Sequence, residues 1–402
     1  MPASKPGELG VAEATNGLEL VAASLASLLL LQSAPHSPLV SLPLPFVKEI
    51  IQPSNFRQEP IEIDVSWPEL STESLRLSRS SGTKQGALKL LVTGGAGFIG
   101  SHVCDAFLAD GHEVIALDSL EGHYPPETKL GNLASARDYN SFGFVQGDVR
   151  DSACLLSLPA VDAVVHLAAR SGVRPSLQEP RPYVDVNVNG TRNLLNWAQA
   201  REVPRLIFAS SSSVYGNNPN SAFTETDPVD RQLSPYAETK RLGETLLEAA
   251  TSSGGPGVAC LRIFSAYGPR QRPDLALHKF ARLLRNGDEL PVFGDGRSGR
   301  DYTFIDDVVG TVRAALEWVE KGNFDVFNVG AGETVLLRDM VNRLGREMGL
   351  SPKVKRLPPH AADVYSTCAD LTHTRAVLGY RPKTHFPEGL SQFMKWFRTG
   401  NP

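Results

Sequence analysis

The chain has 402 residues, 41% hydrophobic and 21% charged, enough for one large or two smaller globular domains with a sizeable core. Lys and Arg number 40 against 44 Asp and Glu, a formal charge of −4, so no broad positive field exists to hold nucleic acid or an anionic membrane. Cys104, Cys154, Cys260 and Cys368 form no CxxC pair, which argues against a disulfide framework or a structural zinc site and makes a reducing compartment the default.

Residues 18–31 (LELVAASLASLLLL) are the one long apolar run. They fall short of the roughly 20 residues that a membrane span needs, and they include Glu19. A signal peptide fits poorly too, because Lys5 alone precedes the run while Glu8 and Glu13 add negative charge where a basic region belongs. From Ser33 to Gly86 Pro and Ser are frequent and neither a period of 2 nor one of 3.6 is sustained. Residues 1–87 are expected to be an extension, either disordered or loosely attached, or the result of a start placed too far upstream, Met340 being the next methionine. A cytoplasmic location is the expectation, with no membrane partner.

From Ala87 onward, short β-branched apolar runs alternate with helical patterns. Strands are predicted over 88–94, 112–118, 142–148, 162–169 and 205–212, with helices over about 101–110 and 187–201. Continuous apolar strands separated by helices mean βαβ units and a parallel sheet covered on both faces. The predicted fold class is α/β, a doubly wound parallel sheet of Rossmann type over about 88–265 within a unit spanning 88–402. After Tyr267 the elements shorten and Pro and Gly become frequent, so a smaller substrate-binding cap is expected over about 266–402, returning to the core in places.

TGGAGFIG occupies 93–100, with glycines at 94, 97 and 100, directly after a predicted strand and directly before a predicted helix. Gly94 permits the tight turn, Gly97 lets backbone amides approach a pyrophosphate, and Gly100 lets the helix pack closely on the sheet. The helix N-terminus then attracts the phosphates. Asp118 closes the second strand, where a carboxylate bonds the adenosine ribose hydroxyls and repels a 2′-phosphate. Ser119, Leu120 and Glu121 bring no cation to reverse that preference, so NAD is favoured over NADP.

Tyr236 and Lys240 stand at i and i+4 in SPYAETK, one turn apart on one helical face. An ammonium beside a phenol favours the phenolate, which would pull the Tyr236 pKa down toward working pH and make it a general base for an alcohol proton. Ser210 to Ser213 end a buried apolar strand, where parallel sheets place their ligands, and a hydroxyl there can hydrogen-bond the reacting oxygen. The histidines, His102 and His123 among them, have no partners at metal-ligand spacing, and no metal is expected.

TGGAGFIG, Asp118, GDVRD (147–151), HLAA (166–169), NVNGT (187–191), SSSSVYG (210–216), SPYAETK (234–240) and RDYTFIDD (300–307) together resemble the extended short-chain dehydrogenase/reductase superfamily, and within it the nucleotide-sugar epimerases and dehydratases. The resemblance covers about 88–397. It implies Ser211, Tyr236 and Lys240 as the catalytic triad, with Lys240 also on the nicotinamide ribose. It further implies Phe98 and Ile99 beside the pyrophosphate, Asp148 and Val149 at the adenine, and Leu167, Ala168, Ala169 and Phe264 along the cofactor. Asn187 is implied to position Lys240 or its water, and Ser213 to be a second contact for the substrate hydroxyl. Relatives are frequently homodimers, which is the assembly expected here.

Dehydratases of this family use carboxylates where this chain has Ser212 and Ser213, which turns the expectation toward an epimerase. By the same resemblance Arg300 grips the diphosphate of a UDP-sugar and Asp363 its uridine ribose. The stretch LRIFSAYGPRQRPDLA (261–276) looks like that of the uronate epimerases, with Ser265 and Arg272 facing the C5 carboxylate and Arg174 assisting. His360 stands where galactose-type relatives often have a phosphate-binding Arg. The expected reaction is 4-epimerisation of UDP-glucuronate, with UDP-glucose 4-epimerisation, a dehydratase or decarboxylase, and a non-catalytic dinucleotide-binding regulator as alternatives.

Overall fold

Alternation of apolar runs with amphipathic ones gives β1 (Lys89–Thr93), α1 (Phe98–Ala109), β2 (Glu113–Asp118), α2 (Pro126–Asn132), β3 (Phe142–Gln146), α3 (Ser152–Ser157), β4 (Ala163–His166) and α4 (Val173–Gln178). A π-helical turn (Val184–Gly190) leads into α5 (Thr191–Ala200), then β5 (Arg205–Ser211), α6 (Pro235–Ser252) and β6 (Gly257–Ile263). The C-terminal part adds β7 (Ser265–Tyr267), α7 (Ala276–Asn286), β8 (Leu290–Phe293), β9 (Gly299–Arg300), β10 (Tyr302–Phe304), α8 (Ile305–Trp318) and β11 (Phe324–Val329). It ends with β12 (Val335–Leu336), α9 (Leu337–Met348), β13 (Val354–Leu357), α10 (Thr372–Leu378) and α11 (Phe386–Arg398). This computed structural model describes residues 86–121, 124–359 and 363–399, all within the unit Ala87–Pro402 save Gly86. The apolar run at 18–31, His123 and His360 lie outside the described residues.

Seven strands form one sheet in the order β11-β6-β5-β4-β1-β2-β3, every pair parallel. Both faces are covered, which is why the strands read as unbroken apolar runs. On β1, Leu90 and Val92 pack with Phe107 of α1 and Val308 of α8, whereas Leu91 points the other way, to Leu194 and Trp197 of α5 and Leu247 of α6. The chain runs outward from β1 to β3, then crosses back to lay β4 on the other side of β1. Loops leaving β1 and β4 therefore diverge, and the crevice beyond their carboxyl ends is where such sheets bind ligands. β11 joins the sheet beside β6, so residues 324–329 bring the C-terminal part back to the core.

One element departs from the sequence reading. The first residues of the helix expected over 187–201 belong instead to the π-helical turn, which brings Gly190 so close to Val149 that a Cβ there would lie 2.7 Å from its Cγ2. In the C-terminal part, Asp301 sits fully buried between β9 and β10, and its carboxylate accepts the N–H groups of Ala331, Gly332 and Ala369 at 2.7–3.0 Å. That clamp fixes the strand carrying Arg300. Among the described residues no helix is long and apolar enough to cross a membrane.

Candidate active site

A cavity of about 550 Å³ opens beyond the carboxyl ends of β1, β4 and β5, and the glycine-rich turn forms one wall of it. Gly94 adopts φ +69°, and a Cβ on it would lie 2.8 Å from the Ala168 nitrogen, so a side chain is excluded by both conformation and space. A Cβ on Gly100 would run into the Gly94 carbonyl. Gly97 is the N-cap residue of α1, no side chain caps that end, and the first turn carries no acidic residue. Gly97, Phe98, Ile99 and Gly100 all line the cavity, which leaves the unpaired amides of a helix start facing it. These residues fit a pyrophosphate.

Asp118 stands at the end of β2, 4% exposed, and its carboxylate accepts the amides of Ala96 and Leu120 at 3.1 and 2.8 Å. The sequence reading missed its partner. Lys129 of α2 donates to Asp118 at 3.0 Å and to the Glu121 carbonyl at 2.5 Å, so a cation does reach this end of the cavity, from eight residues beyond Glu121. Asp148 is held by Arg150 through both carboxylate oxygens, at 2.6–3.0 Å. Val149 completes this side of the cavity, Leu167, Ala168 and Ala169 line its middle after β4, and Phe264 lines it after β6, towards the serines.

The reacting groups converge at the other end. Successive residues of β5 point to opposite faces. Ser210 therefore donates to buried Glu244, itself paired with Arg262 at 2.9 Å, while the hydroxyls of Ser211 and Ser213 lie 3.1 Å apart on the cavity. Tyr236 enters in the first turn of α6, which Ser234 caps through the Ala237 amide at 3.2 Å and Pro235 begins. Its hydroxyl bonds Ser211 and its ring meets Tyr183 edge-on at 6.3 Å. Lys240 donates to the Ala209 carbonyl at 2.6 Å, not to Tyr236. That corrects the expected acidity of the phenol: burial raises the Tyr236 pKa above its ordinary value, outweighing the Ser211 bond and the Arg272 charge, and Lys240 does not act on it. Burial also pushes the Lys240 ammonium down to about 8, with Glu244 pulling it back up.

Three expected site residues, Asn187, Asp363 and Arg174, do not line the cavity. Asn187 lies behind its wall, where its side chain brackets the backbone of Arg170, accepting the N–H at 2.8 Å and donating to the carbonyl at 2.9 Å, and bonds Thr239 at 2.9 Å. It thus reaches the residue next to Lys240 and no atom of Lys240 itself. Asp363 is engaged by Arg174 through Nε at 3.2 Å and Nη2 at 2.5 Å, and the same guanidinium lies 4.0 Å over the Phe293 ring. Arg174 is thereby withdrawn from the sugar end as well.

Ser265, Arg272 and Arg300 do line the cavity. Both oxygens of Asp274 hold Arg272, at 3.0 and 2.6 Å, and its Nη1 donates to the Ser171 hydroxyl. Ser171 and Asp274 were not singled out from the sequence, although the Arg-Pro-Asp spacing carried the second. Arg300 donates to the carbonyls of Gly299 and Tyr365 at 2.7 and 3.4 Å. Among the described residues no cluster of His, Cys, Asp and Glu could hold a metal ion, and all four cysteines are unpaired thiols.

A doubly wound sheet with a glycine turn at its switch point and a Ser, Tyr and Lys set beside it defines the extended short-chain dehydrogenase/reductase class. The family model described as "NAD dependent epimerase/dehydratase family" matches residues 90–330, and the chain belongs to that family. It is 35% identical over 311 residues to UDP-glucuronate 4-epimerase of Thermodesulfobacterium geofontis, covering 76% of this chain and 95% of that one. Among solved structures, UDP-glucuronic acid 4-epimerase from Bacillus cereus, crystallised with UDP-glucuronic acid and NAD, superposes with a TM-score of 0.72 at 34% identity, covering 77% of this chain and 99% of that one. The dTDP-glucose 4,6-dehydratase DesIV of Streptomyces venezuelae, with NAD and TYD bound, gives 0.73 at 32% identity, covering 77% and 97%.

Proposed function

We propose that the protein is an NAD-dependent UDP-sugar 4-epimerase that interconverts UDP-glucuronate and UDP-galacturonate. The observation that carries the reading is the company Tyr236 keeps: Ser211 on its hydroxyl, and Arg272 close by with its geometry set by Asp274 and Ser171. Asp118, Glu121 and Asp148, the other lining carboxylates, belong to the β2 and β3 end of the cavity, and Asp274 is occupied by Arg272. Among the described residues that line the cavity no acidic side chain is left beside Ser211 and Ser213 to drive a dehydration, which supports epimerisation over the dehydratase chemistry of other family members.

The glycine turn and the start of α1 would hold the pyrophosphate of NAD, Asp118 the adenosine ribose, Asp148 and Val149 the adenine, and Lys240 the nicotinamide ribose. NAD supplies the acceptor, and afterwards the donor, of the hydride at C4. Tyr236 would act as its phenolate, favoured against burial by the positive charge of bound NAD⁺ with the phenol proton lost to solvent beforehand; it takes the C4 hydroxyl proton and later returns it, with Ser211 holding the same oxygen in line. Arg300 fits the diphosphate as a planar donor. Ser265 and Arg272 fix the C5 carboxylate while the 4-keto sugar turns over. A 4-keto uronate is a β-keto acid prone to lose CO₂, so a firm grip on that carboxylate also protects the product.

Purified enzyme given UDP-glucuronate is expected to yield UDP-galacturonate by NMR. Conversion of UDP-glucose to UDP-galactose with no action on the uronate overturns the substrate assignment, and release of CO₂ with a UDP-pentose as the main product overturns the reaction.

A further inference from the structure

Five cations line the cavity: Lys129, Arg170, Lys240, Arg272 and Arg300. Lys129 pairs with Asp118, Arg272 with Asp274, Lys240 with the Ala209 carbonyl, and Arg300 with the carbonyls of Gly299 and Tyr365. Arg170 differs from all of them. Its guanidinium has no hydrogen-bond acceptor among the described residues; its contact is with the face of Tyr183, 6.0 Å from the ring centroid, and its Nε is buried and unpartnered. A buried N–H of a charged group without an acceptor is a cost that a folded protein seldom carries unless a ligand supplies the missing oxygen.

The position of Arg170 narrows the kind of oxygen. Asn187 pins its backbone on both sides, so its place at the carboxyl end of β4 is fixed. The next residue, Ser171, bonds Arg272, and both guanidinium groups act on the hydroxyl of Tyr183, whose ring abuts Tyr236. Arg170 and Arg272 therefore flank the same corner of the cavity, next to the group that handles the C4 hydroxyl. Arg272, matched by Asp274, offers geometry but little net charge. Arg170 brings the charge that is not already balanced.

We propose that Arg170 is a specificity-determining residue whose guanidinium binds the carboxylate of a uronate sugar beside Arg272, and so separates acidic from neutral UDP-hexoses. This rests on the substrate reading above. The test compares Arg170→Met and Arg170→Lys with wild type, titrating NAD-loaded enzyme calorimetrically with UDP-glucuronate and with UDP-glucose, and measuring bound NAD and melting temperature in parallel. The wild type is expected to prefer the uronate. Arg170→Met weakens uronate binding about 10- to 100-fold, the range for one charge-assisted hydrogen bond, with UDP-glucose affinity and NAD content unchanged, and Arg170→Lys recovers part of the loss. A wild-type preference that survives intact in Arg170→Met overturns the role of Arg170 alone. Loss of bound NAD in place of uronate affinity overturns it as well, by assigning the guanidinium to the cofactor pyrophosphate. A wild type that binds both sugars alike overturns the uronate reading together with this role.

Discussion

Replacing Tyr236 with Phe lowers kcat by about 10²- to 10⁴-fold, the usual reach of one positioned acid–base group, while the purified variant keeps its NAD. The phenyl ring retains the edge contact with Tyr183, and the hydrogen bonds that set the start of α6, Ser234 to Ala237 and Ser176 to the Tyr236 amide, do not involve the hydroxyl. What disappears is the phenolic oxygen beside Ser211, the atom proposed to exchange a proton with C4. The expected signature is a fall in kcat with KM for the UDP-sugar nearly constant and the melting temperature within a degree or two of wild type. Turnover within a factor of about three of wild type would remove Tyr236 from the chemistry.

Gly100→Ala gives the second large effect, and it acts on the cofactor. The new methyl meets backbone on every side: the Gly94 carbonyl first, then Gly95 Cα at 2.8 Å and Gly94 C at 2.9 Å. No rotamer change relieves such contacts, so the first turn of α1 must move away from the cofactor turn, at an overpacking cost of about 1–3 kcal/mol. Because the amides of that turn line the cavity, the displacement falls on pyrophosphate binding. NAD affinity is expected to drop by about 100-fold or more, read by fluorescence titration or as protein purified without cofactor. Gly131→Ala is the matched control: it is exposed near the end of α2 with open space around its Cα, and the change leaves NAD affinity as it was. Equal NAD affinity in the two variants would contradict the assignment of the glycine turn.

Much of this site was legible in the sequence because its parts are local. The glycine turn is eight consecutive residues between a strand and a helix, Tyr236 and Lys240 are one helical turn apart, and the alternation of apolar runs with helices gives the parallel sheet directly. What escaped depends on contacts that no local period encodes. Lys129 reaches Asp118 because α2 folds back over the end of β2. Arg174 and Asp363 meet across 189 positions and leave the cavity as a pair, and Asn187 turns to the backbone of Arg170 inside a π-helical turn. The acidity of Tyr236 was misjudged for the same reason. Spacing alone put Lys240 beside it, whereas the folded chain offers Lys240 the Ala209 carbonyl and leaves burial to set the phenol.

The central claim, that the C4 hydrogen is removed and returned within one site, is tested most directly with UDP-glucuronate deuterated at C4. The account predicts UDP-galacturonate that still carries deuterium at C4 after turnover in ordinary water, with no net reduction of NAD. Product bearing solvent hydrogen at C4, or label lost at the rate of turnover, would contradict it.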